Sequence, residues 1–284
     1  MIRWKKIVFN KSNKITQINN KKDFFDFSNE VELGGYKPND YYTSKDKFFN
    51  HYLKLDRYKT WSEYLKLNLE KGKNILSIAS GRGINELDLI TNKYNITCSD
   101  LEIPDCYRAS LNLFGEFKYI KLNILKNKTK DRYHFIFCIS ALYIFSNYEL
   151  ERIFGNLREM LEKDGVLIID FGGSEDNYFS FFFHEIYLVF EAYLIYFLSK
   201  IFRKDIGFEV HENHGYRRKN KEIFKIAEKC GFKFLGYDEF DHTSELQRSS
   251  IIRKTVEFFP ISAKVFKILG KKMSYIRFFK FVKK

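Results

Sequence analysis

The chain of 284 residues carries 49 Lys and Arg against 36 Asp and Glu, a formal net charge of +13, with 45% hydrophobic residues. That apolar content excludes a disordered or fibrous chain, and the length exceeds one minimal α/β core without reaching two. Cys98, Cys106, Cys138 and Cys230 are scattered without pairing or metal-ligand spacing, so a disulfide scaffold is excluded, no metal is expected, and reduced thiols in the cytoplasm are.

The first 22 residues hold Arg3, Lys5, Lys6, Lys11, Lys14, Lys21 and Lys22 without an acid, and no apolar run there is long enough for a signal peptide. Residues 1–60 read as a helical N-terminal extension. Asn74 to Ile90 then reads as a buried strand, a glycine turn and a helix: Ile75, Leu76, Ile78 and Ala79, next Gly81 and Gly83, next Leu87, Leu89 and Ile90. Glycines at such a turn let the backbone bend sharply and approach a ligand that a Cβ would exclude. A second strand, Asn95 to Ser99, ends in Asp100, whose carboxylate suits the two hydroxyls of a ribose. Tyr133 to Phe145 is a further apolar strand running into a loop with Ser140. Asn147 to Gly165 has helical periodicity, with Asn147 as a cap and Gly165 as a left-handed stop, and Val166 to Phe171 is another buried strand. Alternating strands and helices predict a parallel sheet covered on both faces.

With these motifs in view, the chain resembles the class I S-adenosylmethionine (SAM)-dependent methyltransferases over roughly residues 61–254. The carriers are strand–SGRG–helix, the acid ending the next strand, EMLEKDGVLIIDF, and the closing segment Gly215 to Phe240. The resemblance implies an α/β, Rossmann-like, seven-stranded and mostly parallel sheet with helices on both faces, with Arg248 to Val256 as its antiparallel last strand. It implies a methyltransferase domain over 61–255 that binds SAM across the carboxyl ends of the strands. Gly81 and Gly83 would pack on the methionine and ribose, Asp100 would hold the ribose, and Leu101, Asn123 and Ile124 would line the adenine pocket. Ser140 and Ala141 would lie beside the methionine moiety. The family's acidic-x-Gly-x-Gly-x-Gly run falls here on Ser77, Ala79, Gly81 and Gly83, so the acid and the first glycine are replaced. His134 stands where the family often carries Asp.

Residues 177–204 form an apolar insertion. On a helix, Ser180, His184, Tyr187 and Glu191 fall at i, i+4, i+7 and i+11, one polar stripe on an otherwise apolar circumference. Glu185 and Glu191 argue against a membrane span. With Tyr216, the residues His184, Tyr187 and Glu191 are candidates for the acceptor site; burial in the core, a dimer interface and a membrane-dipping lid are the alternatives. His211, Glu212 and His214, in the run HENHGYRR, are candidates for a general base because imidazole titrates near neutral pH. Asp170 either orients a substrate or caps the turn before Gly172 and Gly173. Residues 256–284 read as a basic amphipathic tail, for an anionic membrane surface, for nucleic acid, or for packing on the core.

The function expected is O-methylation of a sugar, glycan or other small hydroxylated acceptor, as in polysaccharide biosynthesis, with peripheral attachment to the inner membrane face as a further expectation. The alternatives are a lipid or quinone-like acceptor, RNA, and an inactive methyltransferase-like scaffold. The oligomeric state is open.

Overall fold

Strands buried on both faces must be apolar at successive positions, and the central strands of this chain are built that way. The computed structural model describes residues 2–10, 44–52, 56–104, 106–172, 177–202, 207–241, 246, 249–270 and 274–284. The strands are β1 (Ile2–Asn10), β2 (Asn74–Ile78), β3 (Asn95–Asp100), β4 (Lys118–Lys121), β5 (Tyr133–Ile139), β6 (Leu161–Asp170), β7 (Gly207–Arg217), β8 (Phe232–Asp241) and β9 (Ser274–Lys283). The helices are α1 (Lys45–Tyr52), α2 (Asp56–Asn68), α3 (Ile84–Thr91), α4 (Tyr107–Phe114), α5 (Asn147–Met160), α6 (Tyr178–Ile201), α7 (Asn220–Lys229), α8 (Ser250–Phe258) and α9 (Ser262–Gly270).

Seven strands form one sheet in the order β4-β3-β2-β5-β6-β9-β8. The pairs from β4 through β6 are parallel, and β9 runs antiparallel to both β6 and β8. Alternate residues serve the two faces. Leu76, Ile136, Leu167 and Phe279 join a core closed by α5 and α7, through Ile153, Leu157, Ile223 and Ile226. Ile75, Phe137, Ile168 and Phe278 join a second core closed by α2, through Trp61, Tyr64 and Leu65. The expected seven-stranded, mostly parallel α/β fold is present.

Several boundaries differ from the sequence reading. Residues 248–256 do not supply the last strand: Ser249 accepts a hydrogen bond from the Ile252 N–H at 3.0 Å and opens helix α8. The last strand is β9, so residues 256–284 are no tail; their final third lies between β6 and β8, with Phe278, Phe279 and Phe281 fully buried. The cations Arg277 and Lys280 within β9 are met locally. The Arg277 Nε donates to the Gly172 carbonyl at 2.9 Å, and Lys280 reaches Asp238 at 3.2 Å. The N-terminal segment also begins with a strand, β1, antiparallel to β7, before its helices.

Two caps are corrected as well. Ser146, not Asn147, caps α5 in a reciprocal arrangement with Glu149. Gly165 sits inside β6, where a Cβ would meet the His134 carbonyl at 2.8 Å; close strand approach, not a helix stop, demands glycine there.

Candidate functional site

The carboxyl ends of β2, β3, β5 and β6 lie side by side along one edge of the sheet, and the loops after β2 and β5 carry unusual backbone. Ala79 (φ +56°), Gly81 (φ +53°) and Gly83 (φ +71°) follow β2, and Ser140 (φ +54°) follows β5. Left-handed conformations at three positions of one turn coil the chain tightly before α3 begins. A Cβ on Gly81 would meet no atom within 4 Å, so that side of the turn is open. The turn is pinned from neighbouring strands. The Ser80 N–H donates to the Ser99 carbonyl at 2.9 Å, and the Tyr119 hydroxyl of β4 donates to the Gly81 carbonyl at 2.8 Å.

Asp100 ends β3 beside this turn. Its Oδ2 accepts the Gly81 N–H at 2.8 Å and its Oδ1 accepts the Leu101 N–H at 2.7 Å. Gly81 and Asp100 are thereby brought together as the sequence suggests.

Ser77 is 1% exposed and touches no open space, yet it explains the missing acid. Its hydroxyl donates to Glu86 Oε1 at 2.5 Å, so a carboxylate from α3 lies against the end of β2 after all. Burial pushes the Glu86 carboxyl up to about 7, with the Asp100 charge adding in the same direction against the Ser77 hydrogen bond. Sequence reasoning missed Glu86. Its signal was an acid in the first turn of the helix that leaves the glycine loop, where the helix N-terminus favours negative charge.

The remaining candidates divide. Asn123 is half-buried, and its side chain accepts the Leu125 N–H at 3.2 Å; Leu101 is half-buried beside Asp100. Ile124 is 7% exposed and packed into the core formed with α5. Asp170 adopts the turn-capping role: its Oδ1 accepts the N–H groups of Gly172 at 2.9 Å and Arg277 at 3.2 Å. Burial raises its carboxyl to about 6.

The polar stripe of α6 faces inward. Ser180, His184 and Glu191 are buried. Tyr187 lies 3.3 Å from the Ser249 hydroxyl, and Glu191 accepts the Ile251 N–H at 3.0 Å. Tyr187 and Glu191 thus receive the N-terminus of α8. Glu185, outside the stripe, pairs with the fully buried Arg217 of β7 at 3.0 Å.

β7 carries HENHGYR over the loop after β5. A Cβ on Gly215 would lie 2.6 Å from Cδ2 of Tyr143, so this strand approaches the segment after β5 as closely as glycine allows. The register against β1 slips between Trp4↔Gly215 and Lys6↔His211, which sets residues 212–214 opposite Lys5 alone. Bulges of this kind recur beside active sites. His211, Glu212 and His214 therefore lie on a strand; their side chains are outside the described residues. Tyr216 is half-buried, its ring 5.3 Å from the Arg218 guanidinium carbon. Among the described residues no His, Cys, Asp or Glu side chains gather as a metal site.

No protein-family model matches this sequence, and no curated protein matches it. Solved structures do share its fold. The pyocyanin biosynthetic protein PhzM superposes with a TM-score of 0.53 at 10% identity, covering 89% of this chain and 64% of PhzM. The 1,6-didemethyltoxoflavin-N1-methyltransferase of Burkholderia thailandensis, solved with 1,6-didemethyltoxoflavin and S-adenosylhomocysteine, gives 0.51 at 12% identity, over 80% of this chain and 77% of that one. The glycopeptide N-methyltransferase MtfA gives 0.50 at 10% identity, over 81% and 91%. At these identities the likeness is one of fold, that of the class I SAM-dependent methyltransferases.

Proposed function

We propose that this chain is a SAM-dependent methyltransferase acting on a hydroxyl of a small acceptor, a sugar or glycan in first rank. The observation that carries the cofactor is the Asp100 carboxylate, fixed at the end of β3 beside the glycine turn by the Gly81 and Leu101 N–H groups. Glu86 adds a second carboxyl beside that turn through its hydrogen bond with Ser77. When bound, SAM supplies a methyl group already activated on sulfur. The chain then has to align the acceptor, exclude water and take up a hydroxyl proton. β7 lies against Tyr143 in the segment after β5, and His211 and His214 are the proposed bases because imidazole exchanges protons near neutral pH. The small-molecule and glycopeptide substrates named for the neighbours agree with a small acceptor. A lipid or quinone-like acceptor is a second reading, favoured by the apolar outer face of α6.

Titration calorimetry with SAM tests the first step. Asp100→Ala should weaken binding by about 10–100-fold, the worth of a charge-assisted hydrogen bond or two. Unchanged affinity in that variant, or no binding to the intact protein, would overturn the cofactor assignment. A methyl-transfer screen over nucleotide sugars, glycans and quinones then separates the acceptor readings.

A further inference from the structure

Helix α6 has 24 residues, and only 22% of its most apolar window is buried. A core helix would be covered all round; this one is covered on one side. Phe182, Ile186, Phe190, Tyr193, Phe197 and Ile201 recur at steps of three and four and all stand exposed. The turn at Phe183–Tyr187 is a π-turn, which takes up an extra residue so that Phe182 and Ile186 stay in line with Phe190. Both acids of the helix point the other way. Glu185 is held by Arg217 and Glu191 by the Ile251 N–H, leaving the outer face without negative charge.

The inner face of α6 joins α8 and α9 through Phe183, Tyr187 and Leu188 against Ile252, Val256, Phe266 and Leu269. These two helices repeat the pattern. Phe258, Phe259, Ile261, Val265 and Ile268 are exposed among the exposed cations Arg253, Lys254 and Lys264, with Glu257 as the opposing acid. Lys200 stands exposed near the end of α6, and Arg203 and Lys204 follow it in sequence. Monomers rarely leave so much apolar surface in water without a use for it.

We propose that this three-helix unit docks on an anionic lipid surface, with α6 lying in the interface rather than crossing it. The helix would span about 36 Å end to end, enough to cross a bilayer, but its inner acids and its packing on α8, α9 and β7 tie it to the protein. Aromatic rings on the outer face suit the headgroup–acyl boundary, and the lysines and arginines suit anionic headgroups. Charge decides against a second copy as occupant. A two-fold contact would set Arg253, Lys254 and Lys264 against the same cations of its partner, whereas anionic lipid neutralises them. Because α6 follows β6 in sequence and packs on β7, docking would hold the carboxyl end of the sheet close to the lipid surface. The inference stands independently of the acceptor and of cofactor binding.

The test is co-sedimentation of the full chain with vesicles of phosphatidylcholine alone or mixed equally with phosphatidylglycerol. Binding to the anionic vesicles should be about tenfold tighter and should weaken with salt. Phe190→Asp/Phe197→Asp, on the exposed face, should abolish it while the thermal melt and the far-ultraviolet circular dichroism stay as in the parent. Lys254→Glu/Lys264→Glu should remove the preference for anionic lipid, and serves alone if the first variant does not fold. Retained binding in a folded variant overturns the proposal, as does absence of binding by the parent. A dimer in light scattering that Phe190→Asp/Phe197→Asp converts to monomer, without vesicle binding, would assign the face to a second copy. Salt-sensitive RNA binding without vesicle binding would assign the cations to nucleic acid.

Discussion

At the scale of single residues, the turn after β2 shows how a degenerate motif keeps its shape. Ala79 takes the left-handed conformation that a glycine would adopt freely, at φ +56°. For a residue with a Cβ that conformation costs about 1–2 kcal/mol, and the turn is held there by the Ser80–Ser99 and Tyr119–Gly81 hydrogen bonds. Ala79→Gly should therefore stabilise the protein by about 1 kcal/mol, less the added entropy of the unfolded chain, and raise Tm by roughly 2 °C. Urea and thermal unfolding of the pair would measure this. A loss of stability instead would mean that the methyl group, which packs against the core beneath β2, outweighs the strain. Ser77 and Glu86 make the matching point about charge: the acid absent from the strand is presented by the next helix, nine residues on.

At the scale of elements, β9 decides the architecture. It pairs with β6 on one side and β8 on the other, so its removal would expose two strand edges and both cores at once. Phe279 packs with Phe171 and Phe281 on one face, and Phe278 stacks on Tyr64 at 3.9 Å on the other. Phe279→Ala should cost about 3–5 kcal/mol, the usual price of an aromatic cavity, seen as a lowered urea midpoint. A change below 1 kcal/mol, by the same scale, would contradict the burial of this strand. Helix α6 teaches the converse lesson, since its most apolar face is the one the fold leaves uncovered.

At the scale of the whole molecule, two buried carboxyls give stability a pH dependence. Burial raises Glu86 to about 7 and Asp170 to about 6, above their unfolded values of 4.5 and 3.8. The folded state therefore holds protons that the unfolded chain releases. Stability from this source is full below about pH 4 and is lost as pH rises through 6 and 7. Unfolding by urea between pH 4 and 8 should show that decline. Glu86→Gln should flatten much of it, gaining on the order of 2 kcal/mol at pH 8 and little at pH 4. A parent whose stability rises across this range would show that the carboxyls ionise readily where they lie.

The sequence by itself determined the strand–turn–helix at Asn74 to Ile90, the acid that follows at Asp100, and the alternating elements up to Asp170. Those signals are local: apolar runs, glycines and helical periodicity act within a few residues of one another. It also determined that the insertion is one helix with a single polar stripe. Tertiary structure alone decided which way that stripe looks, because α8 and Arg217 arrive from distant sequence to meet it. It alone turned a lysine-rich terminus into a buried strand, since Gly172, Asn68 and Asp238 supply the partners that make Arg277 and Lys280 tolerable beside two cores. And it alone returned a carboxylate to Ser77, because α3 folds back across the strand from which the chain had just departed.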